Sequence, residues 1–101
     1  MGVNELWSNP NDTLTFSAQD ISIANLSDYK LIVIGYRTKN DNSTYTGIII
    51  PNVLNWVTYL TSAISGTRRT ATIGNNKISI SAETIASDNT YLIPSKIYGI
   101  K

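Results

Sequence analysis

Short windows in which apolar and polar residues alternate recur from one end of the chain to the other. Alternation with a period of two is the pattern of a β-strand that buries one face and exposes the other. The composition agrees, since Ile, Val and Thr, which branch at Cβ and favour extended backbone, fill 31 of 101 positions. The sequence therefore predicts an all-β fold around the single core that a chain of about 100 residues can bury.

One hairpin is predicted on either side of a polar turn. Residues 30–38 begin apolar on both faces, as a strand buried on two sides would, and then alternate. The polar segment 39–43 follows, and residues 44–50 return to an apolar pattern that ends at Pro51, which cannot donate to a sheet. We therefore expect these two runs to pair antiparallel.

A second hairpin is predicted around three turn-forming residues. Residues 70–73 and 77–82 are separated by Gly74-Asn75-Asn76, residue types that tolerate the positive φ of a tight turn. Alternation gives this hairpin a buried inner face, which consists of Ala71, Ile73, Ile78 and Ile80.

Three further segments complete the chain. Alternation over residues 13–18 continues at 21–23, which predicts a strand pair or one bent strand. Residues 52–65 carry apolar side chains at spacings of three and four, so we expect a loop with one helical turn there. Residues 91–100 form a terminal strand in which Pro94 removes one ladder donor, and this favours a sheet edge or a bulge over a fully paired centre.

About seven short strands at regular spacing are typical of an antiparallel β-sandwich or a jelly-roll-like domain. No linker, repeat or charge block divides the chain, so we expect a single domain over residues 4–101. Met1-Gly2 has the composition of a cloning remnant, which would make this one domain of a longer protein. No apolar run approaches the ~20 residues needed to span a bilayer, and we expect no membrane insertion.

The residue types that are missing limit the chemistry of the chain. It has no Cys and no His, and therefore no thiolate nucleophile, imidazole base, disulfide or ordinary zinc site. Segments 9–12 and 40–42 carry oxygen ligands but lack the spacing and terminal acid of a calcium loop, so turns are the better interpretation. We expect no enzyme activity, no metal and no cofactor.

The balance of charge argues against nucleic acid as a partner. Eight Lys and Arg residues against seven Asp and Glu residues give a net charge of +1. A nucleic-acid-binding surface needs a surplus of basic residues. The basic cluster in this sequence is Arg68-Arg69, and two arginines do not make such a surface.

Characteristic motifs occur at both ends of the chain. They are Glu5-Leu6-Trp7-Ser8-Asn9-Pro10 at the start, then residues 16–23 and Leu26-Ser27-Asp28-Tyr29 before an apolar strand, and Ile93-Pro94-Ser95-Lys96-Ile97-Tyr98-Gly99-Ile100-Lys101 at the end. With these motifs nearly the whole chain resembles the C-terminal domains of tail proteins from phages and prophages of Gram-positive bacteria. The middle, residues 40–65, does not match that group residue by residue.

The resemblance implies a β-sandwich at the distal end of a tail fibre, tail tip or baseplate, often trimeric and in contact with the bacterial surface. Cell-wall saccharide would be the receptor class, and other tail proteins would be partners. The expected locations are the tail of the virion, or the bacterial cytoplasm during prophage assembly. The resemblance brings no catalytic signature, and receptor specificity is expected in loops such as those within residues 40–65.

Four aromatic residues are candidates for a saccharide-binding surface. Such a surface needs an exposed aromatic plane for the apolar side of a sugar ring, with short polar side chains to bond its hydroxyls. The candidates are Trp7, Tyr45, Trp56 and Tyr59. Core packing is the competing interpretation, and we favour it for Trp7. Trp56 and Tyr59 lie in the irregular segment, where an aromatic side chain either is exposed or plugs the open end of a sandwich.

Arg68 and Arg69 are the candidates for contact with an anionic ligand. Guanidinium groups bond phosphate oxygens in a fork, so a phosphate-bearing wall polymer would suit them. The favoured interpretation is that both are solvated side chains at the entry to a strand.

Three hypotheses for function follow. The favoured one is a tail domain that recognises host-surface saccharide without chemistry. The second is an assembly or trimer-capping piece of the tail with no receptor contact. The third is a glycan-cleaving enzyme acting through Glu5, Asp28 or Glu83, which needs two carboxyls ~5–9.5 Å apart across a cleft. A homotrimer fits the first two, because a weak single-site sugar contact gains from several copies.

Overall fold

Alternating β-branched residues form two antiparallel sheets that pack face to face. The computed structural model describes residues 2–12, 15–38, 41–53, 55–61, 66–84 and 91–101, and for residues 41–43 it describes the backbone only. The strands are β1 (Val3–Ser8), β2 (Gln19–Ser22), β3 (Leu31–Thr38), β4 (Asp41–Ile49), β5 (Val57–Thr61), β6 (Arg68–Gly74), β7 (Lys77–Ile80) and β8 (Leu92–Ile100). Sheet 1 has the order β1-β8-β3-β4, and sheet 2 has the order β2-β7-β6-β5. The predicted all-β sandwich is confirmed, with eight strands among the described residues.

The first predicted hairpin is confirmed, but its first strand is buried on one side rather than two. Strands β3 and β4 pair antiparallel from Ile32 opposite Ile49 to Arg37 opposite Thr44. The inward residues of β3 are buried, whereas Leu31 and Val33 on the other side of the strand are partly exposed. Residues 39 and 40 of the predicted turn lie outside the described residues.

The second hairpin forms as predicted. Strands β6 and β7 pair with Ala71 opposite Ile80 and Ile73 opposite Ile78, and all four side chains are buried. Asn76 adopts a φ of 55° in the connecting turn. An Asn tolerates that left-handed conformation better than most residues do, which explains why the turn closes here.

The segment predicted to be a loop with a helical turn contains a strand instead. Strand β5 pairs with β6 along its whole length, and the hydroxyl of Tyr36 donates to the C=O of Thr61 and accepts from its N–H at 3.2 Å. These long-range bonds override the local spacing of apolar residues that suggested a helix. The one short helical turn described lies elsewhere, at Leu26–Asp28. Residues 54 and 62–65 lie outside the described part of the chain.

The strand expected over residues 13–23 is much shorter than predicted. Among the described residues of this segment only β2 pairs in a ladder, and residues 15–18 have no strand conformation, while Thr13 and Leu14 lie outside the described residues. The C=O of Phe16 accepts a hydrogen bond from the guanidinium of Arg69 instead of from a neighbouring strand. A side-chain donor thus supplies the hydrogen bond to a backbone C=O that the alternating pattern had predicted to lie in a sheet.

The terminal strand lies in the interior of its sheet, and of the two predicted alternatives, an edge or a bulge, the bulge is the one that the structure contains. Strand β8 is flanked by β1 and β3. Its register against β3 shifts between Lys96 and Pro94, and Pro94 lies in that irregularity. Asn9 completes the bonding there, because its N–H donates to the C=O of Ser95 and its side-chain amide donates to the C=O of Pro94. A bulge therefore accommodates the missing donor of proline inside a sheet.

The core draws on both sheets and is built mainly from isoleucine. The buried apolar side chains are Phe16, Ile21, Ile23, Leu26, Ile32, Ile34, Tyr36, Ile49, Leu60, Ala71, Ile73, Ile78, Ile80, Leu92, Ile93 and Ile97. Within the described residues no helix is long and apolar enough to cross a membrane. With the core filled by inward side chains, any binding surface must come from outward-facing residues, loops or edges.

Candidate functional site

The outer face of sheet 2 is polar and carries one exposed aromatic side chain. Alternation along β6 points Arg69, Ala71 and Ile73 inward, which leaves Arg68 and two threonines, Thr70 and Thr72, pointing outward. In the neighbouring strand β5, Tyr59 lies directly opposite Thr70. The pairing of an edge strand with β6 thus brings together residues that are about ten positions apart in sequence.

Tyr59 and Arg68 form a stacked pair on this face. The guanidinium carbon of Arg68 lies 5.6 Å from the centroid of the Tyr59 ring, within the range of a cation–π contact. Tyr59 is 57% exposed, and Arg68 is exposed as well. Among the described residues no carboxylate pairs with Arg68, whereas Arg37 and Arg69 each have one. The pair therefore offers guanidinium N–H donors and a phenol to solvent.

Hydroxyl groups surround the stacked pair, and we call the whole surface the Tyr59–Arg68 face. Its members are Val57, Tyr59, Thr61, Arg68, Thr70, Thr72 and Ser79. Asp20 and Lys77 form an ion pair of 3.3 Å at the far side of the sheet. A hydrogen bond from Ser79 and, less strongly, the charge and hydrogen bond of Lys77 hold the pKa of Asp20 below its usual value. The hydroxyl groups and the guanidinium of this face can bind a polar ligand by hydrogen bonds.

The other three aromatic candidates lie away from this face. Trp7 is half-buried and meets the ring of Phe16 edge-on, with centroids 6.0 Å apart, which confirms the packing interpretation. The indole N–H of Trp56 donates to the C=O of Ile48 at 3.3 Å, so this half-buried ring fastens the chain after β4 to the sandwich. Tyr45 is 38% exposed and stacks on Tyr36, 5.8 Å away. Tyr59 is therefore the most exposed of the four.

Both interpretations of Arg69 from the sequence are wrong, because its side chain is buried. One guanidinium nitrogen lies 3.2 Å from a carboxylate oxygen of Glu83, and both side chains are 0% exposed. The guanidinium also donates to the C=O groups of Phe16 and Ser81. Burial lowers the pKa of Arg69, while the charge of Glu83 acts in the opposite direction. Arg69 is thus a structural residue and contacts no ligand from solvent.

Two of the carboxylates weighed for catalysis are engaged in ion pairs. Glu83 accepts hydrogen bonds from the N–H groups of Tyr91 and Leu92, at 2.8 Å each, in addition to its bond with Arg69. Glu5 lies 2.9 Å from the ammonium of Lys96. In the described part of the chain there is also no cluster of three or more His, Cys, Asp or Glu side chains placed to hold a metal ion.

The sequence interpretation missed the outward threonines Thr70 and Thr72. The alternation of β6 already contained this information. If Ala71 and Ile73 face inward, Arg69 faces inward as well, and Arg68, Thr70 and Thr72 must face outward. The position of Tyr59 beside them could not be inferred in the same way. It depends on the pairing of β5 with β6, which the segment's apolar spacing concealed.

Comparison with known proteins gives no match for this chain among protein-family models, curated sequences or solved structures. The class that its fold defines is an antiparallel β-sandwich with a polar outer face on one sheet.

Proposed function

We propose that this chain is a non-catalytic domain of a phage or prophage tail that recognises the host cell surface by binding cell-wall saccharide. The observation that carries the proposal is the exposed Tyr59 ring, stacked with an Arg68 that no described carboxylate neutralises. The motifs at the two ends of the chain support the tail assignment. The absence of His and Cys supports binding without chemistry.

The chemistry of the Tyr59–Arg68 face suits a saccharide. An aromatic ring packs against the apolar side of a pyranose, and the threonine hydroxyls can both donate to and accept from sugar hydroxyls. Stacking on Arg68 orders the Tyr59 side chain before a ligand arrives, which lowers the entropy lost on binding. The guanidinium would add a fork of donors for an anionic group on the polymer.

Assembly into a homotrimer on the tail completes this proposal. A single shallow face binds a sugar weakly, and several copies held together raise the apparent affinity for a polymer with repeating units. Other tail proteins would hold the domain at the tip of the virion. Before assembly the chain would be found in the bacterial cytoplasm.

The alternative is a structural or trimerisation module of the tail without receptor contact. One observation favours it specifically: sheet 1 carries exposed aliphatic side chains on its outer face, with Val3 64% and Ile48 51% exposed. Aliphatic side chains offer no hydrogen bonds to a sugar, whereas they suit a protein partner. The two functions are compatible within one domain, because the two outer faces lie on opposite sides of the sandwich.

Binding of purified cell-wall polysaccharides and of whole Gram-positive cells tests the proposal. Tyr59→Ala and Arg68→Met should each weaken binding about tenfold or more, since exposed aromatic and arginine side chains dominate such contacts. Tyr45→Ala is the matched control, because Tyr45 is also a part-exposed tyrosine but lies on β4, outside the Tyr59–Arg68 face. Circular dichroism of each variant establishes that the sheets remain folded.

Two results would contradict the proposal. The correctly assembled protein binding none of a broad polysaccharide panel and no host cells would remove saccharide recognition and leave the structural alternative. Loss of binding in Tyr45→Ala with full binding in Tyr59→Ala would place the site elsewhere on the molecule.

A further inference from the structure

The outer face of sheet 2 carries a second group of charged side chains beyond the stacked pair. Lys77 on β7 lies opposite Gly74 of β6, and Asp20 on β2 lies opposite Ser79 of β7. Arg68 and Gly74 are the two ends of β6, and a strand of this length places them about 20 Å apart. A single sugar ring is too small to contact both ends of the face.

The ion pair of Asp20 and Lys77 keeps hydrogen-bonding capacity for a ligand. The ammonium of Lys77 lies 3.3 Å from one carboxylate oxygen of Asp20, and the two side chains are 48% and 54% exposed. An ammonium has three donors, and the two oxygens of a carboxylate accept about four hydrogen bonds. A sugar hydroxyl both donates and accepts, so neighbouring hydroxyls of one ring can bond the carboxylate and the ammonium together.

The surface between the two charged groups is lined with short hydroxyl side chains. Thr70 and Thr72 point outward along β6, and Ser79 lies beside Thr72 on β7. All three are partly exposed. They are shorter than the arginine, tyrosine and lysine side chains at the two ends, so they form the floor of a shallow trough. Among the described residues of β5, β6 and β7, no other outward-facing charged side chain interrupts it.

The polarity of the trough narrows the choice of ligand. Arg68, Lys77 and Asp20 leave the face with one positive charge, which is too little for nucleic acid. An apolar protein surface would desolvate the hydroxyls of the floor without bonding them, and this is unfavourable. A chain of hydroxyl-bearing rings can bond the floor and both ends, because its groups donate and accept at every unit.

We propose that the Asp20–Lys77 pair is a second saccharide contact, and that the ligand is an extended stretch of a linear polymer lying along β6 between this pair and Arg68. The inference rests on the proposed function, because it deepens the ligand class of the same face. Once one end of such a chain is bound, its other end is held near its own partners, so the second contact adds to the affinity. The face thereby distinguishes a long linear chain from a single terminal sugar.

The test is the dependence of affinity on ligand length. Partial acid hydrolysis of purified host cell-wall polysaccharide supplies disaccharide, tetrasaccharide and hexasaccharide fractions, and calorimetry or an NMR titration of the intact chain measures each dissociation constant. The hexasaccharide should bind about tenfold or more tightly than the disaccharide, since it alone reaches the charged pair at the far end. Tyr59→Ala should weaken the binding of every fraction, because Tyr59 lies at the end that the disaccharide occupies.

A double variant isolates the second contact. Asp20→Ala with Lys77→Met leaves the net charge unchanged and should lose the tenfold advantage of the hexasaccharide while binding the disaccharide as the original protein does. Glu5→Ala with Lys96→Met is the matched control, because it removes an ion pair of similar exposure, 2.9 Å long, from sheet 1. The control should keep the original dependence on length. Unchanged disaccharide binding also establishes that each variant is folded.

The failure of this inference differs from the failure of the proposed function. Equal affinity for the disaccharide and the hexasaccharide overturns the inference and leaves saccharide recognition in place. Full affinity for the hexasaccharide in the double variant overturns it too, as does an equal loss in the control or an equal loss for every fraction. Binding of no fraction at all overturns both proposals together.

Discussion

The buried pair of Arg69 and Glu83 joins segments that no strand pairing holds together. Arg69 lies on β6 of sheet 2, and its guanidinium bonds the C=O groups of Phe16 and Ser81. Glu83 accepts from two N–H groups at the start of β8 in sheet 1. The pair therefore connects both sheets through irregular backbone whose polar groups would otherwise lie buried without a partner.

Removing one charge of this pair should be costly. Arg69→Met should lower the free energy of unfolding by about 3–5 kcal/mol, because it leaves the Glu83 carboxylate buried without its cation. Urea denaturation measures the change. Adding Glu83→Gln, which keeps an oxygen for the N–H groups of Tyr91 and Leu92, should recover part of the loss. A single variant within 1 kcal/mol of the original protein, or a double variant no more stable than the single one, would contradict this role.

The ion pair of Asp20 and Lys77 on sheet 2 should make the stability of the fold depend on pH. Asp20 has a pKa below its ordinary value of 3.8, chiefly through the hydrogen bond of Ser79 and secondly through Lys77. A lowered pKa contributes stability above pH 3.8, and this contribution is lost as the pH falls through the pKa of the folded state. In an NMR titration Ser79→Ala and Lys77→Met should each raise the pKa of Asp20, because each removes a group that holds the pKa down. An unchanged pKa of Asp20 in both variants would contradict this account.

At the scale of elements, strand β5 is fixed by its contact with β4 across the edge of the sandwich. Gly47 on β4 faces Leu60 and Thr58 on β5, and a Cβ at Gly47 would lie only 2.9 Å from a methyl group of Leu60. Leu60 is fully buried, so its side chain can move away from an added Cβ only by disturbing its packed neighbours. Glycine at position 47 therefore lets the edges of the two sheets approach closely.

Gly47→Ala should destabilise the fold by overpacking, at a cost of about 1–3 kcal/mol. Gly35→Ala is the matched control in the adjacent strand β3, because its Cβ would meet its neighbours at ordinary distances of 3.6 and 3.7 Å. Thermal or urea unfolding of both variants checks the difference. Equal stability of the two would mean that β4 and β5 can separate without cost.

The elements that the sequence predicted correctly are those decided by local signals. Both hairpins could be placed because each one's turn lies between its two strands. Strand β5 was missed, and the choice between an edge and a bulge for β8 was left open, because both strands depend on partners far away in the chain. The candidate site shows the same division. Tyr59 and Arg68 were selected by residue type, but their proximity and the burial of Arg69 come from tertiary pairing.

At the scale of the whole molecule, the sandwich separates two surfaces of different chemistry. The outer face of sheet 1 carries exposed aliphatic side chains such as Val3 and Ile48, whereas the Tyr59–Arg68 face of sheet 2 is polar. Under the proposed function, copies of the domain held together on one tail would present the polar face several times, which would raise the apparent affinity for a repeating polymer.

The most direct measurement is an NMR titration of the ¹⁵N-labelled protein with oligosaccharides released from the host cell wall. We expect saturable shifts at the amides of residues 57–61 and 68–72, around the Tyr59–Arg68 face, and these shifts should be absent in Tyr59→Ala. Shifts confined to sheet 1 or to the surroundings of Tyr45 and Trp56, or no shifts at millimolar ligand, would contradict saccharide recognition by this face.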